Sequence, residues 1–60
     1  MQRLVDTPWV AAFLGVPART LDQWAHLGTG PAYVRVGRHR RYRQEDVESW
    51  VASRVRGGAA

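Results

Sequence analysis

The side chains with the clearest chemical capacity are arginines concentrated in one segment. Residues 35–43 hold five of the nine arginines in the chain and none of its five acidic residues. A solvated helix face usually interleaves the two signs, whereas a run of one sign repels itself unless an anion compensates it. We therefore predict that this segment binds the phosphate groups of a polyanion. The alternative is a charged patch that only keeps the protein in solution.

Histidines offer the remaining route to chemistry, and their placement argues against catalysis. His26 and His39 lie on different predicted elements, and no cysteine or histidine–carboxylate spacing in the sequence would hold a metal ion. Both histidines are better interpreted as neighbours of phosphate or as surface residues. The sequence thus predicts no enzyme, no catalytic residue, no metal site and no cofactor.

Length and composition indicate one small domain. The chain has 60 residues, a formal charge of +4 and no cysteine. A chain of this size buries only about 60% of its unfolded surface, so we assign residues 1–56 to a single domain and residues 57–60 to a flexible tail. The lack of disulfides fits a reducing cytosol. The longest apolar stretch, residues 9–16, is far shorter than the roughly 20 residues of a membrane span, so we expect a cytoplasmic protein without membrane contact.

The first helix is predicted over residues 8–14. Thr7 suits the N-cap, Pro8 the first helical position and Gly15 the residue after the end. Its predicted apolar stripe comprises Val10, Ala11, Phe13 and Leu14.

A second helix is predicted from near Pro17 to His26, with Gly28 closing it. Two short helices joined by so tight a turn must cross steeply, as in a helix-turn-helix. The side chains expected to face inward are Ala18, Leu21, Trp24 and Ala25, and those expected to face outward are Arg19, Thr20, Gln23 and His26.

A β-hairpin is predicted within residues 33–43. A loop of three residues would pair Val36 with Arg40, and Val34 would then face Tyr42. A loop of two residues would mix apolar and cationic side chains on both faces, so we predict the three-residue loop. The opposite face of this hairpin would carry Arg35, Arg41 and Arg43.

The last predicted element is a helix over residues 44–55. Glu45 and Asp46 suit the positive end of its dipole. Its expected buried stripe comprises Val47, Trp50, Val51 and Val55.

In this order of elements, particular residues make the chain resemble the small excisionase and MerR-like winged-helix proteins. The matching residues run from Leu4 to Arg54 and comprise residues 10–16, Thr20, Leu21, Trp24, residues 30–38, residues 41–43 and residues 45–51. The chain is similar in particular to short excisionases of actinobacterial temperate phages, including mycobacteriophages, and its use of arginine without any lysine fits a GC-rich genome. The resemblance implies an α+β, mainly helical fold: a winged helix-turn-helix with a two-stranded β-hairpin wing and a carboxyl-terminal helix.

The function that the resemblance implies is that of a recombination directionality factor. Such a protein binds repeated sites in double-stranded attachment-site DNA, bends the DNA, and directs a phage integrase towards excision. Because one module of this size binds weakly, we expect cooperative head-to-tail self-association on direct repeats. The expected location is the cytoplasm of a bacterial host, in association with the nucleoid.

Two groups of residues are the candidate DNA contacts. The amino end of the second helix would enter the major groove and read base edges, while the wing would follow phosphates or an adjacent minor groove. The candidates in the helix are Ala18, Arg19, Thr20 and Gln23, and those in the wing are Arg35, Arg38, His39, Arg40, Arg41 and Arg43.

Three positions depart from this scheme or leave it open. Pro17 stands where relatives commonly carry serine, so a hydroxyl cap is missing, although the amides of Ala18 and Arg19 remain able to meet a phosphate. Arg40 stands where relatives often have an apolar residue, and its stem would pack while its guanidinium reaches water or phosphate. Asp22 would repel phosphate unless it pairs with Arg19 or accepts from cytosine, and a plain surface acid is the simpler interpretation.

Two other classes of function share many of these features. A small MerR-like transcriptional regulator has the same fold, and a neighbouring integrase gene would distinguish the excisionase from it. An RNA-binding or protein-binding adaptor would keep the arginines without needing the helix-turn-helix spacing, and sequence-independent binding of single strands would support it.

Overall fold

The computed structural model describes residues 3–57 and has, within them, three helices and three strands. In chain order these are β1 (Leu4–Asp6), α1 (Thr7–Leu14), α2 (Ala18–Leu27), β2 (Val34–Val36), β3 (His39–Arg43) and α3 (Gln44–Ser53). This order confirms the predicted α+β winged helix-turn-helix. Of the predicted tail, residues 58–60 lie outside the described residues.

The first helix begins one residue earlier than predicted, and its cap is Asp6 rather than Thr7. Asp6 has an extended backbone (φ −92°, ψ 174°), and its Oδ1 accepts a hydrogen bond of 2.9 Å from the amide of Trp9. Carboxylates are among the best N-caps, and this one also meets the positive end of the helix. The predicted carboxyl-terminal ends of the first two helices are confirmed, because Gly15 follows α1 and Gly28 follows α2, each in the left-handed conformation.

A strand that the sequence analysis missed completes the sheet. The strand order is β1-β3-β2, with both neighbours antiparallel to β3. Val5 of β1 lies opposite Tyr42 of β3, and both side chains are buried. The ladder continues beyond β1, since the amide of Gln44 donates to the carbonyl of Arg3 at 3.0 Å. Three residues with a single buried position are too short to show the alternation that identifies a strand.

The predicted register of the wing is wrong by one residue. Val36 pairs with His39 rather than with Arg40, and Val34 pairs with Arg41 rather than with Tyr42, so the loop has two residues instead of three. Gly37 takes a φ of +63°, which suits the first central position of a two-residue type II′ turn.

This register also changes which side chains share a face. Arg35 lies opposite Arg40, on the face that carries Tyr42, whereas the outer face carries both apolar and cationic residues. The expected common face of Arg35, Arg41 and Arg43 is therefore not formed. The two-residue turn at Gly37 and Arg38 sets this pairing, because turn type and loop length fix the register of a hairpin, and the apolar segregation expected within the hairpin is lost. The outer face of the sheet includes Val34, Val36, His39, Arg41 and Arg43.

One small core joins all the elements except β2. Its buried members are Val5, Val10, Ala11, Leu21, Tyr42 and Val47, and Trp9, Leu14, Val16 and Trp24 pack against it. Trp50 of α3 extends the packing outward, with its ring 5.4 Å from that of Trp24 between centroids. Trp50 is half-buried, and the Cζ atom of Arg54 lies 4.7 Å from the centroid of its ring. α3 is thus attached both through the core and through an aromatic contact with α2.

Several residues predicted to be buried are at the surface. Phe13 is 49% exposed and stacks on Trp9 with 5.2 Å between ring centroids, and Ala18 is also exposed. α3 ends at Ser53, so Val55 lies beyond the helix and is 73% exposed. Within residues 3–57, no helix has the length and apolar character needed to cross a membrane.

Candidate nucleic-acid interface

The amino end of α2 presents an open polar surface. Arg19 and Gln23 are exposed, as is Ala18, and Thr20 is half-buried. The N-cap, Pro17, has an extended backbone and makes no side-chain hydrogen bond to the first turn, although its carbonyl accepts from the amide of Thr20 at 3.0 Å. The residues predicted to read bases therefore project from the first two turns of a helix whose opposite side is held in the core by Leu21.

A groove between the start of α1 and the wing brings most of the predicted wing residues together. Thr7 and Pro8 form its α1 side, and Asp6 contributes its one acidic side chain. Its basic side chains are Arg35, Arg38, His39, Arg40 and Arg41. With one carboxylate among so many cationic groups, this groove is suited to an anion.

The wing arginines differ in how far the protein already neutralises them. Arg35 and Arg38 are exposed and, among residues 3–57, form no ion pair. Arg41 is half-buried and donates from its guanidinium to the carbonyl of Arg40 at 3.0 Å. Arg43 lies outside the groove, and its Nε donates to Asp46 Oδ2 at 2.6 Å. Arg35 and Arg38 are consequently the cations most available to an external anion.

A second groove connects the wing to the outer surface of α2. Asp22 and His26 of α2 line one side, and Tyr33, Arg35 and Arg40 line the other. Asp22 and His26 follow Arg19 and Gln23 along the exposed surface of α2. Because Arg35 lines both grooves, the exposed surface of α2 and the basic groove of the wing adjoin.

Arg40 occupies a different environment from the other wing arginines. Its side chain is only 19% exposed, and its Nη2 forms an ion pair with Asp22 and donates to Thr7 Oγ1 at 3.3 Å. Its Cζ lies 5.8 Å and 5.9 Å from the ring centroids of Tyr33 and Tyr42, within the range of a cation–π contact. The sequence alone predicts a plain surface acid at Asp22, or a partner of Arg19 or of cytosine; the structure pairs it instead with Arg40, which lies on β3, 18 positions along the chain.

Burial and charge act together on this cluster. Burial works against the charged form of the Arg40 guanidinium, but the hydrogen bond and charge of Asp22 and the proximity of Tyr42 outweigh it, so the pKa of Arg40 is raised. Burial is also the main cause that raises the pKa of Tyr42 above its usual value near 10, while Arg40 acts in the opposite direction. Both groups therefore keep their neutral-pH protonation states, cationic arginine and neutral phenol.

The described residues offer no metal site. Within 3–57 no three side chains among histidines, cysteines and carboxylates come close enough to hold an ion. His39 lines the groove between α1 and the wing, and His26 lines the groove between α2 and the wing, so the two histidines are placed beside arginines rather than beside each other.

Comparison with known proteins agrees with this geometry. A model of the helix-turn-helix domain family, which includes excisionase-like DNA-binding domains, matches residues 4–55. A search of curated proteins found no match to the chain. Members of this family are typically non-enzymatic. The match spans most of the sequence and every helix and strand described above, and the chain therefore belongs to the helix-turn-helix domain family, whose members are DNA-binding modules.

Proposed function

We propose that the protein is a sequence-specific, DNA-bending excisionase. In this role it binds repeated sites in phage attachment-site DNA and directs an integrase towards excision, in the cytoplasm of a bacterial host. The observation that carries the DNA-binding part is the continuity of the exposed α2 surface with the basic groove of the wing. The excisionase part is supported by the resemblance of the wing and α3 to excisionases.

The amino end of α2 is the proposed reading element. In helix-turn-helix proteins the first residues of the second helix reach base edges in the major groove. Arg19 and Gln23 are long and exposed, and they suit guanine and adenine respectively. Thr20, which lies between them, is the third side chain that we propose to reach base edges, and the amide of Ala18 at the start of the helix is proposed to meet a phosphate.

The wing is the proposed phosphate-binding element. Contacts to phosphate fix the register of a module on the duplex without reading sequence, and an arginine in a narrow minor groove responds to DNA shape. Arg40 lines the same groove with its guanidinium turned towards Asp22, so we assign the phosphate contacts to the other wing residues. These are Arg35, Arg38, His39 and Arg41, which line the groove, and Arg43, which lies outside it and would exchange Asp46 for a phosphate on binding.

Cooperative assembly is the proposed way in which a module of this size bends DNA. A single small module buries only about 600–1,000 Å² of its surface on DNA, so one copy binds weakly and with strong salt dependence. Head-to-tail contacts between copies on direct repeats would raise occupancy and, because they do not close, would form a short filament. The integrase is the further protein partner.

A gel-shift titration on attachment-site DNA tests the proposal, with shuffled DNA of equal composition as the reference. We expect laddered complexes, a preference for the attachment site, and stimulation of excision when the cognate integrase is added. Equal binding of both DNAs would refute the reading role. Preferential binding without any effect on excision would refute the excisionase role and leave a transcriptional regulator.

Two pairs of variants separate reading from phosphate binding. Arg19→Ala or Gln23→Ala should lower the preference for attachment-site DNA over shuffled DNA by about 1–3 kcal/mol. Arg38→Met should lower the affinity for attachment-site DNA and for shuffled DNA equally, and it should reduce the slope of log affinity against log salt by about 0.9. Arg56→Met is the matched control, because Arg56 is equally exposed but lies beyond α3, outside both grooves. An equal slope change in the Arg56 control would refute the assignment of phosphate contacts to the wing.

A further inference from the structure

Arg40 links three elements that are distant in sequence. It lies on β3, its ion-pair partner Asp22 lies on the exposed side of α2, and its hydrogen-bond partner Thr7 is the first residue of α1. Tyr33 and Tyr42 hold the guanidinium from the wing side at 5.8 Å and 5.9 Å. A single side chain thus connects the start of α1, the reading helix and the wing.

The link between α2 and the wing depends strongly on this contact. α2 packs mainly on α1, and β3 packs on its neighbouring strands, on α1 and on α3, whereas direct packing of α2 on the wing strands is sparse. The Arg40–Asp22 ion pair is the one ion pair, within residues 3–57, that joins α2 to the sheet. Without it, the angle between the helix and the wing would be set by the shared core and by the packing of Gly30 against Trp24.

The pair is poorly suited to a role in stability alone. Asp22 is 64% exposed, and ion pairs of exposed groups contribute little to the free energy of folding. Arg40 Nε is buried and finds no hydrogen-bond partner among residues 3–57, which costs part of what the guanidinium gains. Replacing both partners of a buried ion pair by apolar residues of similar volume is often close to neutral. The main contribution of the pair is therefore to fix the position of α2 relative to the wing.

We propose that Arg40 is a positioning residue of the DNA-binding surface. Through Asp22 it holds the reading helix at a fixed angle to the wing, so that base edges and phosphates are met at the same time. This inference rests on the proposed DNA-binding function and assigns Arg40 and Asp22 a part in specificity that involves no contact with DNA. Pre-positioning of this kind matters because contacts displaced by a fraction of an ångström lose much of their value.

The competing role for Arg40 is direct phosphate binding, and the two roles predict different results. A phosphate-binding Arg40 contributes equally to all DNA sequences and to the salt slope. If Arg40 is a positioning residue, it contributes to the ratio of the affinities for attachment-site and shuffled DNA. Only specific binding requires α2 and the wing to be held at a fixed angle to each other. A side chain that serves folding alone changes neither quantity as long as the variant is folded.

The test measures this ratio and the salt slope for Asp22→Ala and for the double variant Asp22→Ala/Arg40→Met. The double variant removes the pair without changing net charge. We expect the ratio to fall about fivefold or more in both variants, at the lower end of typical coupling between two binding elements, with no change of slope in the double variant. Asp22→Ala alone raises the affinity for both DNAs by removing an acid, which leaves the ratio as the informative quantity.

Two results would overturn the positioning role. A fall of about 0.9 in the slope of the double variant would show that Arg40 binds phosphate. An unchanged ratio in Asp22→Ala would show that the pair does not position the helix, and this variant keeps the test decisive should the double variant fail to fold, since Asp22 is largely exposed. Wild-type protein that fails to prefer the attachment site would refute the proposed function itself, and Arg38→Met supplies the reference change in slope.

Discussion

Substitution of Gly30 by alanine tests how tightly α2 packs against the segment that leads into the wing. Gly30 has a φ of +80°, and a Cβ added there would lie 2.9 Å from Trp24 Cε3 and 3.1 Å from Trp24 Cβ. The second contact cannot be relieved by rotating the indole ring, because Trp24 Cβ moves only with the backbone of α2. The ring itself is confined by Trp50 on α3.

Gly28 provides a matched control for the magnitude. Its φ is +79°, yet a Cβ at this position meets nothing within 4 Å. Placing an L-residue in this conformation lowers the free energy of unfolding by about 1–2 kcal/mol. About 0.4–1 kcal/mol of this is regained, because alanine restricts the unfolded chain more than glycine does. Gly30→Ala also bears the cost of a positive φ and adds overpacking of about 1–3 kcal/mol. We therefore expect it to be more destabilising than Gly28→Ala by that additional amount.

Urea unfolding followed by tryptophan fluorescence measures both variants on the same scale. Natural domains hold roughly 0.05–0.15 kcal/mol of stability per residue, so the additional loss at Gly30 is a large fraction of what 60 residues provide. Equal unfolding midpoints for Gly30→Ala and Gly28→Ala would refute the reasoning, because they would mean that Trp24 yields to the new methyl group at no cost.

Two further predictions concern the cap of α1 and the central tyrosine. Asp6→Ala should lower the free energy of unfolding by about 1 kcal/mol through loss of the bond to the Trp9 amide, whereas Asp6→Asn should retain most of it; equal losses in thermal melts would contradict the capping role. Because the folded state raises the pKa of Tyr42, the native protein binds more protons at this residue than the unfolded chain does above about pH 10, so the contribution of Tyr42 to stability should be constant below that pH and fall above it. Tyr42→Phe should flatten this fall in denaturant titrations, and a fall that persists unchanged would exclude Tyr42 as its source.

The order of the helices and the hairpin could be predicted because the signals are local. Gly15 and Gly28 end their helices as expected, and the spacing of Leu21 and Trp24 identified the inner side of α2. β1 could not be found in this way, because its pairing with β3 depends on residues far along the chain and only Val5 is buried. Short strands of this kind are specified by tertiary packing rather than by their own pattern.

The candidate site was predictable in composition but not in arrangement. The cluster of arginines in residues 35–43 already indicated a phosphate-binding segment. Which of them stay available depends on register, since a shift of one residue moves every side chain of a strand to the other face. The predicted register grouped Arg35 with Arg41, whereas the structure places Arg35 opposite Arg40 and turns Arg40 towards Asp22. No pattern in the sequence marks a contact between residues 22 and 40.

The central position of β3 also determines the order in which the sheet can form. β2 meets β3 across the two residues Gly37 and Arg38, so this hairpin closes at small entropic cost, within the microseconds typical of hairpins. β1 is separated from β3 in the sequence by α1, α2 and β2, and pairing over so long a distance along the chain forms slowly. We therefore expect β1 to join the sheet last, and a fusion attached directly before Arg3 to slow the step that completes the core around Tyr42.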